Sequence, residues 1–243
     1  MKVATAPEKT LPLAALKAPT GVTASVPAGA RAEPSRAAAV LLRGGHRLVD
    51  LIAVQAGDQP EQVVAGSVYL GIPAEGARIA AASRLPAVGL AYQVAGVRAL
   101  LAWRPVSFTV DTGAGTPAPG SFPGFCVVVA NSAYLAGGTP AAPDAAVTDG
   151  LLDVITVGDC SKLSFARVML LARRGKHVRL AQVGVARAAS VTVRADRAML
   201  AGADGEPLPG ASPLATGVPL RIRALPGARR VAGQPQPARA AGR

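Results

Sequence analysis

The sequence predicts an α+β protein rich in strands. Short apolar segments, alternating or continuous, are separated by Gly, Pro and Asp turns and dominate the chain. Few stretches carry helical spacing, and strands and helices do not alternate as a parallel βαβ sheet requires. The chain has 243 residues. That is enough for one large domain or two small ones with a substantial core. Half the residues are hydrophobic but only 3% are aromatic, so Ala, Val and Leu must supply the buried surface.

Residues 1–32, rich in Pro, Thr, Ala and Gly, show no sustained period and read as a poorly ordered lead-in. Residues 33–44 hold a junction helix, Arg36 to Arg43, with Pro34 near its first turn and Gly44-Gly45 at its end. A β-rich domain is expected over 45–228. Its strands are read at 47–54, 63–70, 106–110, 125–130, 151–157, 190–195 and 218–224. Helices are expected from Glu75 to Arg84 and from Ala87 to Ala102, the second stopped by Trp103-Arg104-Pro105. Another should be capped by Ser161 and end at Gly175, with Arg173 and Arg174 in its last turn. Residues 229–243 read as a basic, disordered tail.

The formal net charge is +12, and from Cys160 to Ala195 there are eight Lys or Arg and no Asp or Glu. Nucleotide phosphates, nucleic acid and anionic lipid headgroups are the acidic partners such a face fits; a plain solvated face is the alternative. The helix after Ser161 could lie on an anionic bilayer or simply cover a sheet. No aromatic stacking platform supports nucleic acid, and none is expected as a partner. Cys126 and Cys160 match no metal or redox spacing, and Cys126 lies in an apolar run that predicts a buried, inert thiol. His46 and His177, both in basic contexts, are expected to be surface residues without partners. The first residues lack a signal-peptide core, and Leu85 to Ala102 is too interrupted for a spanning helix, so a cytoplasmic protein is expected.

Two acidic turns stand out in a chain poor in acids: Asp144 to Asp153, and Asp204-Gly205-Glu206. Each reads as a tight turn between strands. Each could also present carboxylates and carbonyls of the kind Mg²⁺ requires. In order and spacing, Asn131-Ser132-Ala133-Tyr134-Leu135-Ala136-Gly137-Gly138, Ala142-Pro143-Asp144-Ala145, Thr148-Asp149-Gly150-Leu151-Leu152-Asp153-Val154, Arg173-Arg174-Gly175-Lys176-His177 and Ala203-Asp204-Gly205-Glu206-Pro207-Leu208 resemble the diacylglycerol kinase and YegS-like lipid kinase family. The resemblance covers roughly residues 33 to 230.

The resemblance implies a β-sandwich-like C-terminal domain facing an α/β nucleotide-binding domain, here reduced to a truncated remnant. It implies a weak Mg²⁺ site at Ala146, Asp149 and Leu151, with Asp149 giving its side chain and the others their carbonyls. Glu206 would accept the proton of the lipid hydroxyl, assisted by Asp204. Thr20 and Gly21 match what is left of a Gly-Thr-Gly-Asn-Asp element, and Pro73 stands where the family has an Asp. The Gly-Gly-Asp-Gly-Thr signature that meets the ATP phosphates does not occur in the sequence. The activity implied is phosphoryl transfer from ATP to diacylglycerol or a similar lipid alcohol, with the chain expected to be inactive alone. The other reading is a non-catalytic lipid- or membrane-surface-binding module. Expected partners are a lipid substrate or anionic membrane surface at the inner face, a separate nucleotide-binding chain, or a second copy in a homodimer.

Overall fold

The structure, a computed structural model, describes residues 46–82, 88–113, 120–135, 138–208 and 213–232. The alternation in Val106-Ser107-Phe108-Thr109-Val110 becomes strand β4 (Val106–Asp111), whose Val106, Phe108 and Val110 point inward. The same logic builds β1 (His46–Ala56), β2 (Gln62–Val64), β3 (Ser67–Gly71), β5 (Gly120–Ala130) and β6 (Leu152–Gly158). They are followed by β7 (Val183–Ala188), β8 (Ser190–Ala195), β9 (Ala201–Ala203), β10 (Glu206–Pro207) and β11 (Leu220–Ala232). All pair antiparallel in one curled sheet of order β10-β9-β3-β5-β4-β8-β11-β1-β2, with β6 on β5 and β7 on β6. The β-rich α+β class read from the sequence is the observed one, and the curled sheet is sandwich-like.

Two apolar layers share this sheet. Inside the curl, Ile52, Val54, Leu70, Phe108, Val127, Val129, Leu152, Val193, Leu220 and Ile222 form one core. On the opposite face of β3, β5 and β6, helices α1 (Ile72–Ala81), α2 (Val88–Ala102) and α3 (Lys162–Ala172) cover Tyr69, Phe125, Val128 and Ile155. Phe125 stacks on Phe165 of α3 with ring centroids 4.6 Å apart. The central strand β5 is buried on both faces over 124–130, which is why Phe125 to Ala130 reads as a continuous apolar run.

Local chemistry accounts for the boundaries. Gly71 (φ 86) turns the chain from β3 into α1; a Cβ there would lie 2.2 Å from the Phe125 carbonyl oxygen, so only glycine fits. Pro73 then sits in the first helical turn. The helix thus starts at Ile72 rather than at Glu75. Ser161 caps α3 as expected, its Oγ accepting the Ser164 N–H at 3.1 Å. The segment expected as one strand at 63–70 is two, turning at Ala65-Gly66. Strands β7 and β9 escaped the sequence reading because their Ala and Gly weaken the alternation signal. Residues 229–232, expected in the tail, belong to β11 instead, with Arg229 and Arg230 pairing with Val49 and Leu48; residues 233–243 lie outside the described residues. The lead-in and the junction helix lie outside the described residues.

Candidate functional site

The site begins at the Asp204-Gly205 turn between β9 and β10. Asp204 adopts φ 48, a left-handed conformation that Asp tolerates because its short side chain bonds locally, and Gly205 follows at φ 99. The Asp204 carboxylate reaches across to the β2–β3 turn. Its Oδ2 accepts the Ala65 N–H at 2.7 Å, and its Oδ1 accepts the N–H groups of Gly66 and Ser67 at 2.9 and 2.8 Å. Both oxygens are committed to backbone donors, so Asp204 is a clamp. The Gly205 N–H donates to the buried Tyr69 hydroxyl at 3.0 Å, fixing the other side of the turn. Glu206, the next residue, opens β10 and is exposed to solvent.

The clamped turn is wired to the second acidic loop through two buried polar residues. The Asn131 N–H donates to Gly66 O at 2.8 Å, and its side-chain amide donates to Ala65 O and Asp50 O at 3.0 and 2.8 Å. Asp50 lies at a bulge between β1 and β11. Its Oδ2 accepts the Gly150 N–H and its Oδ1 the Gly227 N–H, each at 2.7 Å, while its own N–H donates to Val147 O at 2.7 Å. One buried carboxylate therefore ties β1, the middle of β11 and the 147–150 loop together. The Asp204 turn and the Asp149 loop share one end of the sheet.

At Asp149, Oδ1 accepts the Leu151 N–H at 3.1 Å, closing the loop on itself, and Oδ2 accepts from the Arg187 guanidinium of β7 at 2.5 Å. Arg187 also lies 3.4 Å from the buried Asp153 of β6. Burial raises the Asp153 carboxyl above its usual range, against the pull of Arg187, and Asp149 and Asp144 push the same way as burial. Burial disfavours the Arg187 charge, but Asp153 and Asp149 outweigh it and raise the guanidinium further. Two aspartates, Asp149 and Asp153, thus converge on one arginine.

A hard cation at Ala146, Asp149 and Leu151 would need a free carboxylate oxygen. The carboxylate here is taken up by a guanidinium and a backbone N–H, so the loop as it stands is neutralised by Arg187. Among the described residues no group of three or more His, Cys, Asp or Glu side chains is arranged to hold a metal ion. The residues as arranged fit an arginine better than Mg²⁺.

Thr20, Gly21 and the Gly137 turn lie outside the described residues. His177 does not behave as a surface residue: it is buried in a short 3-10 turn, with Nε2 against Ala141 O at 2.9 Å, and burial lowers its pKa. Cys126 is buried as expected, its thiol pushed up to about 12 by burial. Sequence reasoning gave no role to Asp50, Asn131, Asp153 or Arg187. The signal for the two aspartates was present, since each is an acid inside an apolar strand, where charge is kept only with partners.

A solved structure from Bacillus anthracis named as a diacylglycerol kinase superposes with a TM-score of 0.57 at 19% identity, covering 83% of this chain and 61% of that one. A second of the same naming and organism gives 0.55 at 20%, covering 82% and 61%. The chain therefore spans about 61% of the length of the structures it resembles. No curated protein matches it. Residues 66–233 match the YegS C-terminal NAD kinase beta sandwich-like domain, and the chain belongs to that family.

Proposed function

We propose that this chain is the lipid-facing part of an ATP-dependent lipid kinase, with Glu206 as the base that receives the proton of a lipid alcohol. The observation that carries this reading is the division of labour in one turn. Asp204 spends both oxygens on three backbone N–H groups and so holds rigid the turn that presents an exposed Glu206. Preorganisation of this kind keeps a base in place without reorganisation at the moment of reaction. In the step, Glu206 takes the hydroxyl proton of diacylglycerol or a similar alcohol as the oxygen bonds to the γ-phosphorus, and the bond to the ADP oxygen breaks.

ATP would arrive from a nucleotide-binding domain, in the same polypeptide or a separate chain, that cradles its phosphates with backbone N–H groups. Mg²⁺ supplies charge neutralisation to the nucleotide phosphates when bound. At the Asp149 loop Arg187 already supplies that charge, so its part is to hold the loop. The test is NMR titration of the ¹⁵N-labelled chain with dihexanoylglycerol, a water-soluble diacylglycerol. Shifts should concentrate on residues 65–69 and 203–207. Shifts absent there, or spread evenly over the surface, overturn the reading.

A further inference from the structure

Strands β1 and β11 run on together past the rest of the sheet. β2 pairs with β1 only over 52–54, and β8 pairs with β11 only over 220–223. Beyond those points the two strands hold each other as a two-stranded ribbon, from Val49↔Arg229 to His46↔Ala232. The ribbon is rooted in the acidic site. Asp50 lies at its base, and its Oδ1 holds the N–H of Gly227, where β11 kinks at φ 59. Through Asn131 and Ala65 the same root is bonded to the turn that presents Glu206.

Beyond Asp50 every ionisable side chain on the ribbon is a base. Cross-strand neighbours share a face, so Arg47 and Arg229 lie on one side and His46 and Arg230 on the other. His46, Arg229 and Arg230 are exposed, and Arg47 is half-buried. Closer to the core the arginines of β11 are engaged: Arg223 pairs with Glu61, and Arg221 donates to Gly57 O. Arg47, Arg229 and Arg230 have no carboxylate at ion-pair distance among the described residues. No Asp or Glu occurs from Pro34 to Val49 or after Glu206. Three guanidiniums gathered without a counter-charge repel one another and attract an anion.

The outer edge of β11 adds neutral donors. An edge strand leaves alternate N–H groups unpaired, and over 228–232 no described strand pairs with that edge. Arg229 and Arg230 flank it from opposite faces. A row of N–H groups between two guanidinium forks suits a narrow chain of phosphates, whose oxygens accept from both. A bilayer or protein surface would meet one face of the ribbon and leave the charge on the other unused.

We propose that the edge of β11 at Arg229 and Arg230, with Arg47, binds the polyphosphate of a nucleoside triphosphate at the end of the sheet that carries Glu206. Choosing a nucleotide over another polyphosphate rests on the lipid-kinase reading; the site itself does not. The experiment is NMR titration of the ¹⁵N-labelled full chain, without lipid and at low salt, with ATP, inorganic tripolyphosphate, AMP and inorganic phosphate. ATP and tripolyphosphate should shift the amides of residues 228–232 and the Nε signals of Arg229 and Arg230. AMP and phosphate, with less charge, should bind at least about tenfold more weakly. Arg229→Gln and Arg230→Gln should each weaken ATP about tenfold, through loss of one charged donor group. Their melting temperatures should match wild type, because both side chains are exposed.

Wild-type protein that binds neither ATP nor tripolyphosphate overturns the proposal, as do Arg229→Gln and Arg230→Gln variants that bind ATP as wild type does. So does a site that takes tripolyphosphate but not ATP. A single-stranded oligonucleotide or phosphatidylglycerol vesicles held at Arg229 and Arg230 more tightly than ATP also overturn it. Because no lipid is present, ATP binding is read apart from the dihexanoylglycerol titration, and either can fail without the other.

Discussion

Replacing Asp204 separates clamping from catalysis. Its carboxylate holds three backbone donors, two of them part-buried at Gly66 and Ser67 and one exposed at Ala65. Hydrogen bonds to a charged group contribute about 1.5–3 kcal/mol each when buried and less where water can replace them. Left-handed backbone adds about 1 kcal/mol for a residue without a local side-chain bond. Asp204→Ala should therefore cost about 4 kcal/mol, a large share of a typical domain's stability. Asp204→Gly avoids the backbone penalty and should cost about 1 kcal/mol less. Asp204→Asn tolerates φ 48 and keeps an oxygen for Gly66 and Ser67, but sets an NH₂ against the Ala65 N–H, so about 1–2 kcal/mol is expected. Urea unfolding gives the three values, and amide exchange at Gly66 and Ser67 should quicken in the same order. A cost below about 1 kcal/mol for Asp204→Ala, or Asn as the worst variant, would show that the carboxylate does not hold the turn.

Arg187→Met should destabilise by about 3–5 kcal/mol because Asp153 is left buried without its cation, and adding Asp153→Asn should recover part of the loss. Since burial already raises the Asp153 carboxyl, the deficit of Arg187→Met should shrink as pH falls and that group protonates. The same variant frees Asp149, so Mg²⁺ should raise its melting temperature and leave wild type unmoved. For His177, burial depresses the folded pKa, so the unfolded chain takes up the proton first. Stability should fall as pH drops below about 6.5, by up to about 1.4 kcal/mol per unit until the folded pKa is reached. In His177→Gln that slope should vanish from urea unfolding measured between pH 5 and 7.5.

The strands with large β-branched or aromatic residues were legible because alternation and burial coincide there; Val106 to Val110 is the clearest. The Ser161 cap was legible because capping chemistry is local. The helix nevertheless stops at Ala172 with Arg173 as its C-cap, so the expected run through Arg174 to Gly175, with Arg173 and Arg174 in the last turn, is not what forms. Strands β7 and β9 were not, since Ala and Gly carry little pattern and their pairing depends on distant partners. Of the site, the two acidic turns could be found in one dimension. The wiring between them could not: Asp50 bonds residues 100 and 177 positions away, and Asn131 bonds one 81 positions away. Asp204 was expected to assist Glu206 by orientation or electrostatics, and its carboxylate bonds three backbone N–H groups of the neighbouring turn. His177 was misread because a basic neighbourhood in sequence hid an apolar one in space.

The central claim is that Glu206 is the base on a rigid turn of a lipid kinase. It is tested most directly by phosphate transfer from labelled ATP to diacylglycerol, using protein isolated from its native cells with whatever it binds, as wild type and as Glu206→Gln. A general base contributes about 10² to 10⁴-fold. Turnover should fall by that factor in Glu206→Gln, with melting temperature unchanged. A variant that keeps more than about a tenth of wild-type turnover contradicts the account, and so does wild-type protein that transfers no phosphate to the lipid.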